Sequence, residues 1–184
     1  MRQLTTTHPL RGARQRGFTL LELMITVSIV AILLAIGVPS FRYVTTSNRT
    51  AGEVNGLMGD MHFARAEAIK EGQTVTVCAS TDGKTCSGAA AWNTGWITFP
   101  GTGNPASTAA ILHVQGQFYG ADTLNASGAT SAVQFNREGF ALGLPGPVTF
   151  ALHDSTNNSA YTRCLQVSIV GALSAVIYNG TTCT

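Results

Sequence analysis

Residues 18–38 read FTLLELMITVSIVAILLAIGV, a stretch of 21 residues that carries a single charge, Glu22. About 20 predominantly apolar residues span a bilayer as an α-helix, so this stretch predicts a membrane-spanning helix. A lone carboxylate in hydrocarbon is costly, and it therefore indicates a function and a partner. Gly37 and the following Pro39 are expected to weaken or kink this helix, since proline lacks a backbone donor and clashes with the preceding turn.

The segment before this stretch is short and basic. Residues 1–17 contain four arginines and no acidic residue; the arginines are Arg2, Arg11, Arg14 and Arg16. Basic residues before a membrane helix place the amino terminus in the cytoplasm and the carboxyl-terminal part outside. An ordinary secretory signal peptide has a shorter apolar region, of about 7 to 15 residues, and a small-residue cleavage site after it. Neither that alternative nor a simple membrane anchor explains Glu22.

Polarity returns after Phe41, while the helical spacing of apolar residues continues to a possible terminal glycine, Gly72. The pattern predicts an amphipathic helix over residues 42–72, with its apolar stripe packed against a following domain. Ser47 and Asn48 could instead cap a separate helix after a break. The stripe contains Val54, Leu57, Met58, Met61, Ala64 and Ala68.

Residues 73–184 have the composition of a β-rich domain. Short β-branched and aromatic runs alternate with Gly, Pro, Asn and Ser, which favour turns. Residues 101–108, 121–131 and 154–159 are expected to form loops or turns. The whole chain is therefore predicted to be α+β, with one long helix packed on an antiparallel sheet. The strand candidates are 75–78, 96–99, 111–114, 133–135, 148–153, 164–170 and 172–178.

All four cysteines follow the apolar stretch, which fits a domain delivered to an oxidising compartment. Four cysteines allow three pairings. We expect the nearest partners to pair: Cys78 with Cys86 around a turn at Asp82-Gly83, and Cys164 with Cys183 across the last β region. A zinc site would need closely spaced ligand pairs, which are absent, so no metal or other cofactor is expected.

A family resemblance begins at residues 16–23, which read RGFTLLEL. This motif resembles the processing site of type IV prepilins and pseudopilins, and Pro39 matches a proline common in their hydrophobic helix. The resemblance implies that residues 1–17 are a leader, cleaved after Gly17 by a prepilin peptidase, and that the new amine of Phe18 is methylated. It also implies an inner-membrane protein with a periplasmic head, later part of a pilus or pseudopilus.

Physical chemistry adds a role for Glu22 to that resemblance. In a helical filament its carboxylate could pair with the Phe18 ammonium of a neighbouring subunit. A buried charge is tolerated when it is paired, and removing one partner is strongly destabilising. Glu22 is thus predicted to dock neighbouring subunits within residues 18–41 rather than to catalyse a reaction.

The domain after the helix resembles the GspH/FimT/FimU branch of pilin-like proteins. The leading function implied is that of a minor type IV pilin, which helps prime assembly and lies at or near the tip. Its partners would be other minor and major pilins, the inner-membrane assembly platform and, before assembly, membrane lipid. A minor pseudopilin of type II secretion is the alternative. The motifs are CAS at 78–80, Cys86, WNTGWI at 92–97, FNREG at 135–139, and a final Cys-strand-Gly-strand-Cys region ending at Cys183.

A second alternative, DNA capture for natural transformation, is not favoured. FimT proteins linked to DNA uptake carry Gly-Arg-x-Arg in the last β region, whereas residues 171–174 read GALS. Without residues 1–17, seven basic and nine acidic side chains remain, a formal charge of −2. Phosphate contacts supply most nonspecific DNA affinity, so DNA binding is not expected. The sequence also lacks the common catalytic motifs, and no enzymatic activity is expected.

Overall fold

The fold begins with one long helix, α1, which spans Leu20–Glu71 in the computed structural model. The model describes residues 17–118 and 120–184. The leader expected at residues 1–17 therefore lies outside the described residues, except for Gly17. The chain divides into two units, Met1–Arg42 and Tyr43–Thr184, and the boundary falls within α1. Helical structure continues through residues 42–49, where the sequence left a break open.

In the second unit, hereafter the head, α1 presents one buried stripe to the β-structure. The buried positions are spaced alternately by four and three residues, which places them on one face of a helix. The helix ends at Glu71, and Gly72 follows with φ of +67°, the left-handed conformation that favours glycine after a helix. Met58 packs against the core at the edge of the stripe. The stripe consists of Thr50, Val54, Leu57, Met61, Ala64 and Ala68.

Nine short strands form two antiparallel sheets in the described part of the head. The first sheet has the order β3-β2-β1-β5-β6 and the second has the order β4-β7-β8-β9. The strands of the first sheet are β1 Val75–Ala79, β2 Trp96–Pro100, β3 His113–Gln115, β5 Ala132–Phe135 and β6 Ala141–Leu142. Those of the second are β4 Thr123–Ala126, β7 Val148–His153, β8 Arg163–Val167 and β9 Leu173–Val176.

One apolar core joins the helix to both sheets. It contains the α1 stripe together with residues such as Val77 and Phe135 of the first sheet and Phe150 and Leu165 of the second. Trp92 lies in this core, with its ring edge-on to Phe150 at a centroid distance of 5.0 Å. Its indole N–H donates to the carbonyl oxygen of Thr130 at 2.9 Å, so burying the ring leaves no unpaired donor.

The opposite face of β1 and β2 is also covered. Cys78, Ile97 and Phe99 are completely buried there, and Cys86 and Ile111 pack against them. Cys86, which is bonded to Cys78, and Ile111 therefore cover part of the outer face of the central strands. Because β1 is buried on both faces, all five residues of Val75–Ala79 are buried. Such a strand does not show the alternation of apolar and polar residues that marks a half-buried strand.

The structure confirms the α+β class, with one long helix packed on antiparallel strands, and corrects one detail. Residues 121–131 were expected to form a surface loop, but β4 occupies Thr123–Ala126 within them. Leu124 and Ala126 point into the core while Thr123 and Asn125 are exposed. This alternation over four residues is the signature of a half-buried strand, although it is too short to stand out among Gly, Ser and Asn.

Arg65 of α1 forms hydrogen bonds with a turn of each sheet. The Arg65 guanidinium donates to the carbonyl oxygen of Gly139 at 2.9 Å, after β5, and to that of Val170 at 3.5 Å, after β8. The amide of Ala141 in β6 also donates to the carbonyl oxygen of Ile169, at 3.0 Å. These bonds hold the ends of the two sheets together beside the helix.

Candidate assembly surface

Every residue of the assembly segment, residues 18–41, is exposed. Its large apolar side chains are between 46% exposed at Val38 and 76% exposed at Leu20. The most apolar window of 18 residues has a mean hydropathy of 2.5, and none of it is buried. Each Å² of apolar surface left in water costs about 25 cal/mol, so this segment requires lipid or another protein around it.

The helix starts inside the predicted processing motif. The hydroxyl oxygen of Thr19 accepts a hydrogen bond from the Glu22 amide at 3.2 Å, and the carbonyl oxygen of Thr19 accepts from the Leu23 amide at 3.2 Å. Thr19 is therefore the N-cap residue. Sequence reasoning missed this role, although Thr-x-x-Glu before an apolar run is the signature of a capping box.

Gly17 and Phe18 precede the helix and are exposed. Nothing lies within 4 Å of the position that a Cβ atom would occupy at Gly17. The peptide bond between these two residues therefore lies outside the helix. The structure places both residues directly ahead of the cap, so an amine created at Phe18 would lie next to the helix amino terminus.

Glu22 lies in the first turn of α1, and its side chain is exposed. A carboxylate is favoured there, because the unpaired N–H groups give the helix amino terminus a partial positive charge. Within residues 17–118 and 120–184, no ion pair to this carboxylate is formed. Glu22 is therefore a carboxylate held at a fixed place in the assembly segment and open to an external cation.

Two hydroxyl groups of the assembly segment donate to the backbone of their own helix. The Thr26 hydroxyl donates to the carbonyl oxygen of Leu23 at 2.9 Å, and the Ser28 hydroxyl donates to that of Met24 at 2.8 Å. Polar groups that are already bonded to their own backbone can enter hydrocarbon at low cost. Glu22 is consequently the polar side chain of this region that most needs a partner.

Gly37 and Pro39 both lie inside α1. Pro39 has no N–H group, so the helix lacks a backbone hydrogen bond at this position. Glycine costs about 1 kcal/mol relative to alanine in a helix interior. The two residues make this turn the weakest part of the assembly segment, and the kink expected here stays a prediction.

The head is closed by two disulfide bonds. Cys78 is bonded to Cys86 and Cys164 to Cys183, with Cα atoms 5.6 and 5.8 Å apart. These are the nearest-partner pairs that the sequence favours. The second bond fastens the carboxyl-terminal residues to β8, and a β-bridge between Tyr178 and Cys183 supports it.

Asp60 makes structural contacts that the sequence did not reveal. Its carboxylate accepts a hydrogen bond from the indole N–H of Trp96 at 2.7 Å and lies 3.1 Å from Nδ1 of His113. Trp96 belongs to β2 and His113 to β3. One carboxylate on α1 thereby fixes the helix to two strands of the first sheet.

The cations of the described head are largely engaged within it. Arg49 pairs with Asp122 at 2.8 Å, and Arg137 pairs with Glu138 at 2.7 Å. Lys70 contacts Glu67 and Glu71, while Arg65 and Arg163 donate to backbone carbonyl oxygens. Cations already neutralised by carboxylates make a weak phosphate-binding surface, so the geometry does not favour DNA capture.

The described histidines do not gather into a reactive centre. His113 contacts Asp60, and Nδ1 of His153 lies 3.1 Å from the hydroxyl of Thr162. Among residues 17–118 and 120–184, no three His, Cys, Asp or Glu side chains converge as metal ligands do. His8 lies outside the described residues.

Comparison with known proteins agrees with this architecture. The family model "Type II transport protein GspH" matches residues 53–171, and the "Prokaryotic N-terminal methylation motif" matches residues 12–38. Two crystal structures of the type IV minor pilin FimU from Pseudomonas aeruginosa PAO1 share the fold. The first has a TM-score of 0.55 at 20% identity and covers 74% of this chain and 96% of its own. The second has a TM-score of 0.56 at 21% identity and covers 78% and 96%.

The family match spans more than half of the chain and includes residues 53–71 of α1 and the strands from β1 to β8. The family and the fold are those of structural pilin subunits, and the protein is not an enzyme. The methylation motif and the uncovered apolar helix fit the membrane anchoring of a pilin. The chain therefore belongs to the GspH family of pilin-like proteins.

Proposed function

We propose that this protein is a minor type IV pilin, a structural subunit that helps prime pilus assembly and lies at or near the pilus tip. The observation that carries the proposal is the uncovered assembly segment, which has one carboxylate at a defined place near its start. The FimU-like fold of the head supports a minor rather than a major subunit. The partners would be other minor and major pilins and the inner-membrane assembly platform.

The proposed sequence of events begins in the inner membrane. The assembly segment spans the bilayer once, and the disulfide-bonded head lies in the periplasm, where disulfides persist. A prepilin peptidase cleaves after Gly17 on the cytoplasmic side, and the amine of Phe18 is then methylated. The segment afterwards leaves lipid for the filament, where neighbouring helices cover the same apolar surface.

The pairing of Glu22 with the Phe18 ammonium of a neighbour would guide that transfer. Phe18 directly precedes the cap residue Thr19, and Glu22 lies three residues after Thr19 in the first turn of α1. An unpaired carboxylate in hydrocarbon is costly, and contact with an ammonium group removes most of that cost. The pair would therefore set the axial position of one helix against the next.

Deletion of the gene tests the proposal against its alternative. We expect sheared surface pili to fall to background in a clean deletion strain and to return on complementation with the wild-type gene. A minor pseudopilin of a type II secretion system is the second candidate, which the GspH family match supports. Normal piliation together with lost export of type II substrates would replace the pilin proposal with that one.

Substitution of Gly17 is expected to block leader removal. In a Gly17→Val variant, intact-mass measurement of the membrane protein should give the mass of the uncleaved precursor. Gly37→Val is the matched control, since nothing lies within 4 Å of a Cβ atom built at either glycine. A Gly17 variant with the mature mass would refute processing at this position.

A further inference from the structure

A pair of acidic side chains faces each other between α1 and the loop before β4. Glu53 lies on α1, one turn after Arg49, and Asp122 immediately precedes β4. The Arg49 guanidinium contacts Oδ1 of Asp122 at 2.8 Å, and the amide of Ser155 donates to the same oxygen at 3.1 Å. The side chain of Asp122 is 0% exposed.

Two carboxylate oxygens in this cluster are buried without a hydrogen-bond donor. They are Oε2 of Glu53 and Oδ2 of Asp122. A buried acceptor that lacks a donor costs about 1–3 kcal/mol, and more when it is charged. Two ionised carboxylates offer no donor to each other, and Arg49 supplies one positive charge for two negative ones. With both acids ionised, the cluster would therefore hold uncompensated charge.

We infer that Glu53 and Asp122 form a proton-binding site, in which Glu53 is protonated and donates its hydrogen bond to Asp122. A single proton removes both orphan acceptors, since Glu53 becomes the donor and Asp122 the acceptor. Arg49 then neutralises the one remaining charge. The bond joins α1 to the residues that lead into β4 and so strengthens the contact between the helix and the second sheet.

The environment favours this protonated form. Burial, followed by the negative charge of Asp122, raises the pKa of Glu53 from 4.5 to about 7, and the hydrogen bond with Asp122 raises it further while Arg49 opposes the change. The charged groups facing Glu53 are Arg49 on its own helix and Asp122 from the opposite loop. The charge of Arg49 also helps to lower the pKa of Asp154. A cavity of about 300 Å³ lies beside the cluster and is lined partly by Arg49 and Glu53.

The sign of the pH effect follows from linkage. Because the pKa of Glu53 is higher in the folded protein, the folded state binds more protons than the unfolded state between pH 4.5 and about 7. The stabilisation is fully present below pH 4.5 and is lost as the pH rises through about 7.

The test compares the full-length protein in detergent micelles with its Glu53→Gln variant. Glutamine keeps a donor toward Asp122 at every pH, whereas glutamic acid loses it. Between pH 4.5 and 7.5 we expect the melting temperature of the wild type to fall by about 3 °C relative to that of the variant. Glu67→Gln alters another glutamate of α1 and should keep the wild-type pH dependence.

A titration of the wild type supplies an independent readout. The carboxyl carbon of Glu53, followed by NMR in the full-length protein, should titrate more than one pH unit above the ordinary value of 4.5. The inference would be overturned if the melting temperatures of the wild type and of Glu53→Gln changed equally with pH. It would also be overturned if the Glu53 carboxyl titrated near 4.5. The NMR titration uses the wild-type protein, so it tests the proton-binding site even if the variant fails to fold.

Discussion

Replacing Glu22 with glutamine will lower the amount of this protein in sheared pili at least about tenfold, while its amount in the membrane stays unchanged. The expectation follows from the proposed pair between Glu22 and the Phe18 ammonium of a neighbour. Breaking a buried ion pair by removing one partner costs about 3–5 kcal/mol, and each 1.4 kcal/mol is a factor of about ten in an equilibrium constant. A cost of about 3 kcal/mol corresponds to roughly a hundredfold, so a tenfold loss is the minimum that the proposed pair must produce.

Glutamine is the informative substitution because residue 22 also occupies a position at which a glutamate can cap the helix. It occupies the third position of a capping box whose N-cap is Thr19. Glutamine serves at that position as well as glutamate, so the helix start is preserved while the charge is lost. Glu22→Ala and Glu22→Val remove both features and cannot separate them, although they should impair assembly as well.

Thr19→Val provides the complementary control. It removes the hydroxyl that accepts from the Glu22 amide and keeps the shape of the side chain and the charge at residue 22. Loss of an N-cap costs about 1 kcal/mol, a smaller penalty than loss of a buried ion pair. Immunoblots of sheared and membrane fractions from both variants measure the difference. Normal incorporation of Glu22→Gln beside reduced incorporation of Thr19→Val would assign Glu22 to capping alone.

Features that depend on residues close together in the chain were predictable from the sequence. An apolar run over residues 18–38 determines a membrane-length helix without reference to the rest of the molecule. The spacing of Val54, Leu57, Met61 and Ala64 on one helix face likewise fixes which face is buried. The disulfide between Cys78 and Cys86 joins residues with a sequence separation of 8. Over so short a loop, the local turn is enough to bring the two cysteines together.

The features that escaped prediction arise where distant segments meet. Arg49 and Asp122 are separated by 73 residues, so their ion pair and the position of Glu53 beside it appear only in the folded head. No motif in the sequence singles out Asp60, yet it contacts Trp96 and His113. The role of an individual glycine is also not predictable from the sequence. A glycine in a solvent-exposed turn and a glycine at which two backbone segments nearly touch look the same there.

Gly171 lies where its backbone closely approaches that of Gly139. Its substitution by alanine should therefore destabilise the head more than most surface substitutions do. The residue is buried, with φ of +73°. A Cβ atom built there would overlap the carbonyl oxygen of Gly139 and would lie 3.1 Å from Nε of Arg65. Gly171→Ala would therefore separate the two turns that Arg65 holds together. We expect a loss of more than about 4 kcal/mol in the free energy of unfolding.

Gly143→Ala isolates the steric contribution to that loss. Gly143 has nearly the same backbone conformation, with φ of +71°, but nothing lies within 4 Å of its Cβ position. An L-residue in the left-handed region costs about 1–2 kcal/mol, so backbone strain affects both variants alike. Urea unfolding of each full-length variant in detergent, under conditions that keep the disulfides oxidised, measures the difference. Equal losses for the two would mean that the turns at Gly139 and Gly171 separate without cost, and that Arg65 does not hold the two sheets together.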